Sequence, residues 1–472
     1  MRLVIKFGGT SVGNADAIRQ AASITADLRR HGHEVVAVSS AMSRVTDSLL
    51  AGAHAAADGN AAEVATISSA LLLRHAEAAA ALMPSEADRA AVMESIERRL
   101  SEFARLAEAV AVLGEVAPRA LDAVASLGER MSVPLLAGAL RANGINAEAV
   151  DAADLIRTDA VFQAAVPQMD ETRQLSQARL GPLFASGITP VVTGFLGATA
   201  QGVVTTLGRG GSDYSAGILG AALDADEVWI YTDVDGVLTA DPRVVPDAHT
   251  LDVVSYREMS ELAYFGAKVL HPKTILPALE RGIPLRIKNT FNPGHPGTLI
   301  VGESHTANGV LTGVTAIERQ SLITIEGSGM LGVPGIAARA FAAVASTGTS
   351  VPMISQASSE QSICFVVPQG AAERVVTELR HAFERELARQ DIESIWALND
   401  VVVVTVVGAA LRQTPGIAGR IFTALGSADI NVIAIAMGSS ECSISLAVDA
   451  AFAKAAVRQI HTLLEVCESP AR

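Results

Sequence analysis

The apolar positions of residues 1–302 follow the pattern of an α/β protein. Short apolar runs predict strands at residues 3–7 and 34–38, and a helical pattern spans residues 15–30 between them. A strand, a helix and a strand in this order form a βαβ unit, which requires a parallel sheet. Further apolar runs predict strands at residues 146–151, 188–193, 227–232, 284–288 and 297–300. The pattern predicts an open, mostly parallel sheet flanked by helices.

Residues 51–124 interrupt this alternation with a long helical stretch. They are rich in Ala, Glu and Arg and contain no strand pattern. We expect helices that either cover a site or contact another copy of the chain. The residue types in this stretch indicate no chemistry of their own.

The last third of the chain contains an internal duplication. Pro334-Gly335-Ile336-Ala337 recurs as Pro415-Gly416-Ile417-Ala418, and Ser358-Ser359-Glu360 recurs at the same offset as Ser439-Ser440-Glu441. Such self-similarity is typical of a repeated structural unit. The pattern of each copy predicts a strand, a helix, two strands and a second helix. The first copy ends with another predicted strand near residues 393–398.

The second copy reaches its last helix without a final strand. The apolar run at residues 309–316 lies unused before the first copy, so we predict that it supplies the missing strand and that the first copy is inserted within the second. The predicted divisions are 1–302 for the first domain, 317–398 for one module, and 399–472 plus a strand from 308–316 for the other. Paired modules with exposed strand edges predict a homodimer or a higher homo-oligomer, with ligand sites in the loops.

The composition and charge narrow the class of protein. The 472-residue chain is 50% hydrophobic, and its formal net charge of −14 argues against nucleic acid as a general partner. No apolar run reaches the roughly 20 residues of a membrane span, and the N-terminus lacks the regions of a signal peptide. We expect a cytoplasmic protein with no membrane partner. The three cysteines are scattered without metal spacing, which indicates small buried residues rather than ligands.

Two glycine turns stand where phosphates bind in α/β proteins. Gly8-Gly9 follows the first strand directly, and Lys6 lies just before it. The run Gly208-Arg209-Gly210-Gly211-Ser212-Asp213 opens a helical segment. Backbone N–H groups of such turns, together with a helix N-terminus, surround anions. A lone glycine loop is equally consistent with a mobile surface turn, so other residues have to decide between the two.

Polar residues follow several of the predicted strands. Ser40 and Thr46 come after the second strand, and Asp233 follows the strand at residues 227–232. The carboxyl ends of parallel strands are where ligands of open α/β sheets bind. Together with lysines, an arginine and two glycine loops, these residues suit phosphoryl transfer, which depends on positioning and on stabilisation of charge.

Several of these segments together are typical of one protein family. They are Lys6-Phe7-Gly8-Gly9-Thr10-Ser11, Gly208-Arg209-Gly210-Gly211-Ser212-Asp213, Thr232-Asp233, Asp241-Pro242-Arg243 and the run from Phe265 to Pro272 that contains Lys268. The chain resembles the aspartate kinases over essentially its whole length. The resemblance implies an amino-acid kinase fold followed by two ferredoxin-like βαββαβ ACT modules. It also implies transfer of the ATP γ-phosphoryl group to L-aspartate, giving 4-phospho-L-aspartate, the first step towards lysine, threonine and methionine.

The resemblance also implies a role for each matching residue. Lys6 would stabilise charge on the transferring phosphoryl group, and Asp213 would orient the reacting groups. Arg209 would bind the α-carboxylate of aspartate in a pocket shaped by Ser40, Thr46, Glu129, Phe195 and Ser212. ATP, with Mg²⁺ bridging its phosphates, would lie against Lys6, Gly8, Gly9, Thr232, Asp233, Arg243 and Lys268.

Several positions depart from the family pattern. Leu238 stands where many relatives have a tyrosine near the nucleotide, and Arg44 stands where a glycine is common. In the modules, Gln356 keeps the glutamine of threonine-inhibited relatives, but Met437 replaces it in the second copy. Methionine lacks the donors and the acceptor of an amide. The resemblance therefore implies a threonine effector, in preference to lysine, bound near Gln356, and a weakened second site.

The sequence leaves two other interpretations open. A kinase acting on another acidic amino acid would share the glycine loops, although the tandem modules speak against it. A catalytically inactive amino-acid sensor would keep the modules, although the expected site residues are intact, namely Lys6, Arg209, Asp213 and Lys268. Because the sequence ends just after the second module, we expect no fused homoserine dehydrogenase.

Overall fold

The computed structural model describes residues 1–264, 270, 272–302, 310–409, 411, 414–437 and 442–468. Lys268, residues 308–309 of the expected donor strand, and the repeat motif Ser439-Ser440-Glu441 lie outside the described residues. The chain divides into two compact units. Unit 1 comprises Met1–Val237, Asp252–Tyr256 and Lys268–Glu303, and unit 2 comprises Leu238–Leu251, Arg257–Ala267 and Ser304–Arg472.

Unit 1 is built on an eight-stranded sheet. Its strands, with those of a small separate hairpin, are β1 (Arg2–Phe7), β2 (Glu34–Ser39), β3 (Ala147–Val150), β4 (Thr189–Thr193), β5 (Leu196–Ala198), β6 (Val204–Thr206), β7 (Glu227–Thr232), β8 (Val253–Ser255), β9 (Leu285–Asn289) and β10 (Thr298–Val301). β5 and β6 form the hairpin. The other strands follow the order β3-β4-β2-β1-β7-β9-β10-β8, and each described pair is parallel except β9 with β10. The predicted open, mostly parallel sheet is confirmed.

The central strand β1 is buried on both faces. Leu3, Val4, Ile5 and Phe7 are fully buried, and β1 pairs in parallel with β2 and β7. Continuous apolar runs are typical of parallel strands that are covered on both sides. The next helix begins only at Ala15, so the glycine turn between them stands at the carboxyl end of the central strand.

Helices occupy the expected stretch after β2 and the connections between later strands. In chain order they are α1 (Ala15–Arg30), α2 (Val45–Ala57), α3 (Ala61–Leu82), α4 (Glu86–Leu113), α5 (Pro118–Ala125), α6 (Leu127–Ala142), α7 (Met169–Ala185), α8 (Gly211–Ala222), α9 (Tyr256–Tyr264) and α10 (Pro272–Arg281). Ile96 and Phe103 of α4 are buried in the same hydrophobic cluster as Leu3 and Ile5 of β1. The helical stretch is therefore part of the core of unit 1. Among the described residues, no helix combines the length and the apolar character of a membrane span.

Unit 2 contains a six-stranded antiparallel sheet. Its strands are β11 (Gly313–Glu326), β12 (Met353–Gln356), β13 (Ser362–Pro368), β14 (Ser394–Val407), β15 (Ala434–Met437) and β16 (Ser443–Asp449). They lie in the order β12-β13-β11-β14-β16-β15. The helices are α11 (Ile336–Ser346), α12 (Ala372–Ala382), α13 (Glu384–Arg389), α14 (Ile417–Ser427) and α15 (Ala453–Glu468).

β11 and β14 each serve both copies of the repeat. Residues 313–317 of β11 pair with residues 403–407 of β14, which belong to the second copy. The rest of β11 pairs with the start of β14 and with β13, which belong to the first copy. The register shifts between Ile317 and Leu322, where Arg319 has a φ angle of +58°. The two copies therefore share one continuous sheet.

Residues 238–251 fold in unit 2, although the sequence assigned them to the first domain. Ala240 and Val245 are buried in one hydrophobic cluster with Leu311 and with Ile421 of α14. The Thr239 hydroxyl lies 2.9 Å from Nε2 of His461 on α15. The compact units therefore differ from the sequence boundary at residue 302, because the apolar side chains of this segment pack in the core of the second module.

Candidate active site

One cavity in unit 1 gathers most of the polar residues that the sequence singled out. It encloses about 670 Å³ at the carboxyl ends of β1 and β2 and at the start of α8. The predicted site residues that line it are Lys6, Gly9, Ser40, Thr46, Glu129, Phe195, Arg209, Ser212 and Asp213. It is also lined by polar residues to which the sequence assigned no role, namely Ser43, Asp47, His54, Asp122, Gln163 and Thr206, and by Arg44.

Lys6 and Asp213 form an ion pair in this cavity. Nζ of Lys6 contacts Oδ1 of Asp213, and the two side chains are 10% and 14% exposed. Lys6 comes from the buried strand β1, and Asp213 lies in the first turn of α8. A lysine in such a buried position requires a counter-charge, which Asp213 supplies. An anion that reaches Lys6 would compete with Asp213 for the same ammonium group.

The glycine loop at residues 208–211 packs closely against its surroundings. Gly208 and Gly210 have φ angles of +77° and +72°, which favour glycine. A Cβ at Gly208 would lie 2.8 Å from the carbonyl oxygen of Gln163, and a Cβ at Gly211 would lie 2.5 Å from the ring of Phe195. Larger residues are therefore excluded, and these contacts do not support the alternative of a mobile surface turn.

Glu129 places a buried carboxyl group at the cavity. It lies in the first turn of α6, and only 4% of the residue is exposed. Its Oε2 atom has no hydrogen-bond partner among the described residues. Burial raises the pKa of Glu129 to about 8, although the backbone N–H of Ala41 and the charge of Lys6 act to lower it. The acid is therefore largely neutral at pH 7 and would ionise beside a bound cation.

A glycine in α6 brings this helix close to the loop after β2. A Cβ at Gly128 would lie 2.9 Å from Cβ of Ala41 and 3.1 Å from Oγ1 of Thr46. Any side chain at Gly128 would force the loop away from Glu129. Arg130, the next residue along α6, pairs with Asp151, 2.7 Å away, and so leaves Glu129 without a neighbouring counter-charge in its own helix.

The same loop contains a strained arginine. Arg44 has a φ angle of +63°, a left-handed conformation that is unfavourable by about 1–2 kcal/mol for residues other than glycine. This geometry explains why a glycine suits the position. The preceding residue is anchored, since the Ser43 hydroxyl donates a hydrogen bond of 2.8 Å to the carbonyl oxygen of Gly9. The loop after β2 is thereby fixed to the glycine turn after β1.

Arg74 of α3 strengthens this connection between the two loops. Its guanidinium donates to the carbonyl oxygen of Ser43 at 2.7 Å and to that of Gly13 at 2.8 Å. Hydrogen bonds from a charged donor are stronger than those between neutral groups. A residue of the helical stretch thus holds both loops, although the sequence pattern gave no sign of this role.

Asp122 of α5 holds a third loop. It is 1% exposed, and its carboxylate accepts hydrogen bonds from the backbone N–H of Gln163 and from both the N–H and the hydroxyl of Thr206, at 2.8–3.1 Å. Thr206 ends β6, immediately before the glycine loop. The carboxylate therefore fixes the start of the segment that carries Arg209.

The residues predicted to bind ATP lie partly outside the cavity lining. The Gly8 N–H donates a hydrogen bond of 3.2 Å to the carbonyl oxygen of Tyr231, so the first glycine turn meets the end of β7. Thr232 and Asp233 follow at that end, and the Thr232 hydroxyl donates to Asp233 at 3.1 Å. Arg243 lies in unit 2, where it pairs with Asp241. Lys268 lies outside the described residues.

A magnesium ion that arrives with a nucleotide needs only a few protein ligands. Within the described ranges, no group of three or more His, Cys, Asp or Glu side chains is placed to hold a metal ion. Magnesium is commonly bound by one or two carboxylates together with substrate phosphates and water. Such a site does not need a preformed cluster of protein ligands.

Gln356 and Met437 occupy equivalent positions on the edge strands of the unit 2 sheet. Gln356 ends β12 opposite Ile363, and Met437 ends β15 opposite Ile444. Both side chains are exposed. In the first copy, Glu360 accepts a hydrogen bond of 3.0 Å from the N–H of Gly332, which joins the turn after β12 to the loop before α11.

Comparison with known proteins identifies the family. The model of the amino acid kinase family matches residues 1–289, and a model of an ACT domain matches residues 323–383 and 404–464. The chain belongs to the amino acid kinase family. Its similarity to aspartokinases with tandem ACT domains is also confirmed, because aspartokinases match this chain over nearly its full length and an ACT model matches it twice.

Three relatives of this amino acid kinase show the extent of the match. An aspartokinase from Thermus thermophilus is 32% identical over 476 residues, and the match covers 99% of this chain and 99% of the relative. A bifunctional aspartokinase/homoserine dehydrogenase from Haemophilus influenzae is 35% identical over 462 residues, which are 98% of this chain and 56% of the relative. The chain spans about half the length of the bifunctional relatives. Aspartokinase III from E. coli, solved with aspartate and ADP, has a TM-score of 0.78 at 30% identity, covering 98% of this chain and 99% of that one.

Proposed function

We propose that this amino acid kinase transfers the γ-phosphoryl group of ATP to the side-chain carboxylate of L-aspartate. The observation that carries the proposal is the cavity that combines the Lys6–Asp213 ion pair with Arg209 and the buried Glu129. Aspartate and ADP in the related E. coli enzyme support the choice of substrates. The product is 4-phospho-L-aspartate, which commits aspartate to lysine, threonine and methionine.

The charges of the cavity complement those of aspartate. Glu129 would ionise to receive the substrate ammonium group, which recovers the energy lost by burying the carboxylate. Arg209 would bind the α-carboxylate with its planar guanidinium. The remaining groups of this pocket would be Ser40, Thr46, Phe195 and Ser212. The side-chain carboxylate then extends towards Lys6.

The reaction requires little proton transfer. The attacking carboxylate is already ionised at neutral pH, so no strong general base is needed. A carboxylate oxygen forms a bond to the γ-phosphorus while the bond to the β–γ bridging oxygen breaks, and ADP leaves with that electron pair. Lys6 would stabilise the negative charge on the transferring group, and Asp213 would orient Lys6 and the reacting groups.

Nucleotide binding is assigned to the carboxyl ends of β1 and β7. The N–H groups of Gly8 and Gly9 would face phosphate oxygens, and Thr232 with Asp233 would contact the nucleoside. Lys268 is proposed to complete the ATP site. Mg²⁺ bound to the ATP phosphates would neutralise part of their charge.

The ACT modules are proposed to bind a feedback effector, with threonine favoured over lysine. The preference for threonine rests on Gln356, because its amide donates and accepts hydrogen bonds that the thioether of Met437 cannot form. The related E. coli aspartokinase III has been solved with lysine and aspartate, so lysine is the alternative that the assay must include. We also propose that the modules join copies of the chain into a homodimer or a higher homo-oligomer.

Formation of aspartyl hydroxamate tests this function. The protein is incubated with L-aspartate, MgATP and hydroxylamine, with and without threonine or lysine. We expect ATP-dependent hydroxamate that decreases when threonine is added. Lys6→Met should lower kcat by about 10²–10³-fold, because a donor aimed at transition-state charge is lost. Folded wild-type protein that forms no hydroxamate would contradict the proposal and favour a sensor or another acidic substrate.

A further inference from the structure

Arg44 brings a second guanidinium group to the cavity. It lines the cavity together with Arg209, and both residues are otherwise exposed. Among the residues that the structure describes, the Arg44 side chain forms no hydrogen bond or ion pair. Its loop is nevertheless fixed, because Ser43 is bound to Gly9 and to Arg74. An arginine on an anchored loop is therefore presented to the cavity at a defined position.

The backbone at Arg44 does not account for this residue. A φ angle of +63° is favourable for glycine and strained for arginine, so the arginine is present in spite of the backbone geometry. Strained residues that surrounding contacts hold in place are concentrated at ligand sites. The strain therefore points to a contribution from the side chain.

The charges lining the cavity leave two guanidinium groups for a ligand. Lys6 is paired with Asp213, and the Asp122 carboxylate is occupied by hydrogen bonds from Gln163 and Thr206. Arg44 and Arg209 remain as unpaired cations, and Asp47, His54 and Glu129 are the other titratable residues in the lining. A dicarboxylate substrate with one carboxylate directed to Lys6 has its second carboxylate free for these arginines.

We propose that Arg44 is a substrate-binding residue that shares the α-carboxylate of the amino-acid substrate with Arg209. The inference rests on the proposed aspartate kinase activity. Two guanidinium groups around one carboxylate provide up to two forked interactions and discriminate against substrates that lack this charge. The loop after β2 thereby contributes to the affinity for the amino acid rather than for ATP.

Arg44→Gly separates binding from folding, because glycine removes the side chain and relieves the strained backbone. We expect the KM for L-aspartate to rise about ten-fold, the effect of losing one charge-assisted hydrogen bond. Relative to wild type, the kcat and the KM for MgATP should be unchanged, and the urea midpoint should not fall. With the α-amide of aspartate as substrate, Arg44→Gly should have no further effect, because the carboxylate that Arg44 binds is absent.

Arg319→Gly is the matched control. Arg319 is also a left-handed arginine, with a φ angle of +58°, but it lies in unit 2 within β11. This variant should leave the KM for L-aspartate unchanged. An unchanged aspartate KM in folded Arg44→Gly, or an increase in the KM for MgATP instead, would overturn the assignment.

Calorimetric titration with L-aspartate distinguishes this inference from the proposed function. Binding that weakens in Arg44→Gly while wild-type protein forms no hydroxamate would support Arg44 and contradict the kinase activity. Hydroxamate formation by wild type with equal aspartate binding in both proteins would support the activity and contradict the role of Arg44.

Discussion

At the scale of single residues, burial determines the charge state of the cavity before any ligand binds. Lys6 is paired with Asp213, whereas Glu129 has no comparable partner and its pKa rises to about 8 through burial. A carboxyl group that is neutral when the cavity is empty and ionised beside an ammonium group couples ligand binding to the release of a proton. This coupling can be measured.

The KM for L-aspartate should depend on pH through Glu129. Below pH 8, binding must first remove the proton from Glu129, so the KM should fall as the pH rises from 6 to about 8 and then level off. Glu129→Gln should raise the KM and abolish its slope, because glutamine cannot ionise. Steady-state kinetics from pH 6 to 9 measure both effects. A wild-type KM that does not change over this range would contradict the role of Glu129.

Glu129 should also make the unliganded fold less stable as the pH rises. Its pKa in the fold is about 8, above the ordinary value of 4.5, so the unfolded chain loses this proton at a lower pH than the folded one. Between these values the free energy of unfolding should fall by about 1.4 kcal/mol per pH unit from this group. In urea unfolding, the advantage of Glu129→Gln over wild type should grow from pH 5 to 8. Glu97→Gln, at an exposed residue of α4, is the control.

The sequence motifs predicted the residues for which we propose direct contact with substrates. Lys6, Arg209 and Asp213 stand beside glycine turns, and the cavity brings them together. Arg74 and Asp122 were not predicted, because they act through backbone atoms far away in the sequence. In the sequence of an Ala-rich helix, an arginine that binds two carbonyl groups cannot be distinguished from an arginine that points into solvent. Only the packing of α3 and α5 shows the difference.

At the scale of elements, the helices of residues 51–124 act as a support for three active-site loops. α3 holds the loops after β1 and β2 through Arg74, and α5 holds the segment before the glycine loop through Asp122. Loops open locally more easily than helices packed in the core, so their positions depend on contacts with other elements. The positions of the loops in this cavity therefore depend on this helical layer.

Arg74→Ala tests the support of these loops. Loss of two hydrogen bonds from a charged donor should lower the free energy of unfolding by about 2 kcal/mol. The kcat/KM for aspartate should fall about ten-fold, since reacting groups must be held in position. Arg98→Ala, at an exposed position of α4, should change neither quantity. Equal activities of wild type and Arg74→Ala would show that the loops hold their positions without this residue.

The strands were easier to predict than the connections between them. Residues 34–38, 188–193 and 227–232 form apolar runs, and β2, β4 and β7 lie there. The shared strands β11 and β14 were harder to predict, because an apolar run does not show that one strand continues from one repeat into the next. The packing of residues 238–251 in unit 2 was missed for the same reason, since apolar side chains in a sequence do not show which core they pack in.

At the scale of the whole molecule, the duplication is symmetric in structure and asymmetric in chemistry. Gln356 and Met437 end equivalent edge strands, and their strand partners Ile363 and Ile444 are equivalent as well. Gln356 and Met437 differ in the hydrogen bonds that their side chains can form. The two positions therefore provide an internal comparison within one chain.

Gln356→Ala should abolish inhibition by threonine, whereas Met437→Ala should leave it unchanged. The amide supplies hydrogen bonds that a thioether cannot, and an exposed side chain at the end of an edge strand can be replaced with little effect on folding. Threonine titrations of hydroxamate formation measure both variants, with lysine as a parallel effector. Full threonine inhibition in Gln356→Ala would contradict the effector site.

The sharing of β11 between the two repeats has a consequence for biosynthesis. Gly313 pairs with Val407, and the whole of the first module is translated between these two residues. At typical rates of elongation, the ribosome takes roughly 5 to 20 s to add the intervening segment. Once the apolar start of β11 has left the ribosome, it has no neighbour on its β14 side until residues 403–407 follow. A chaperone that recognises extended apolar segments would find its binding site there, before the sheet closes.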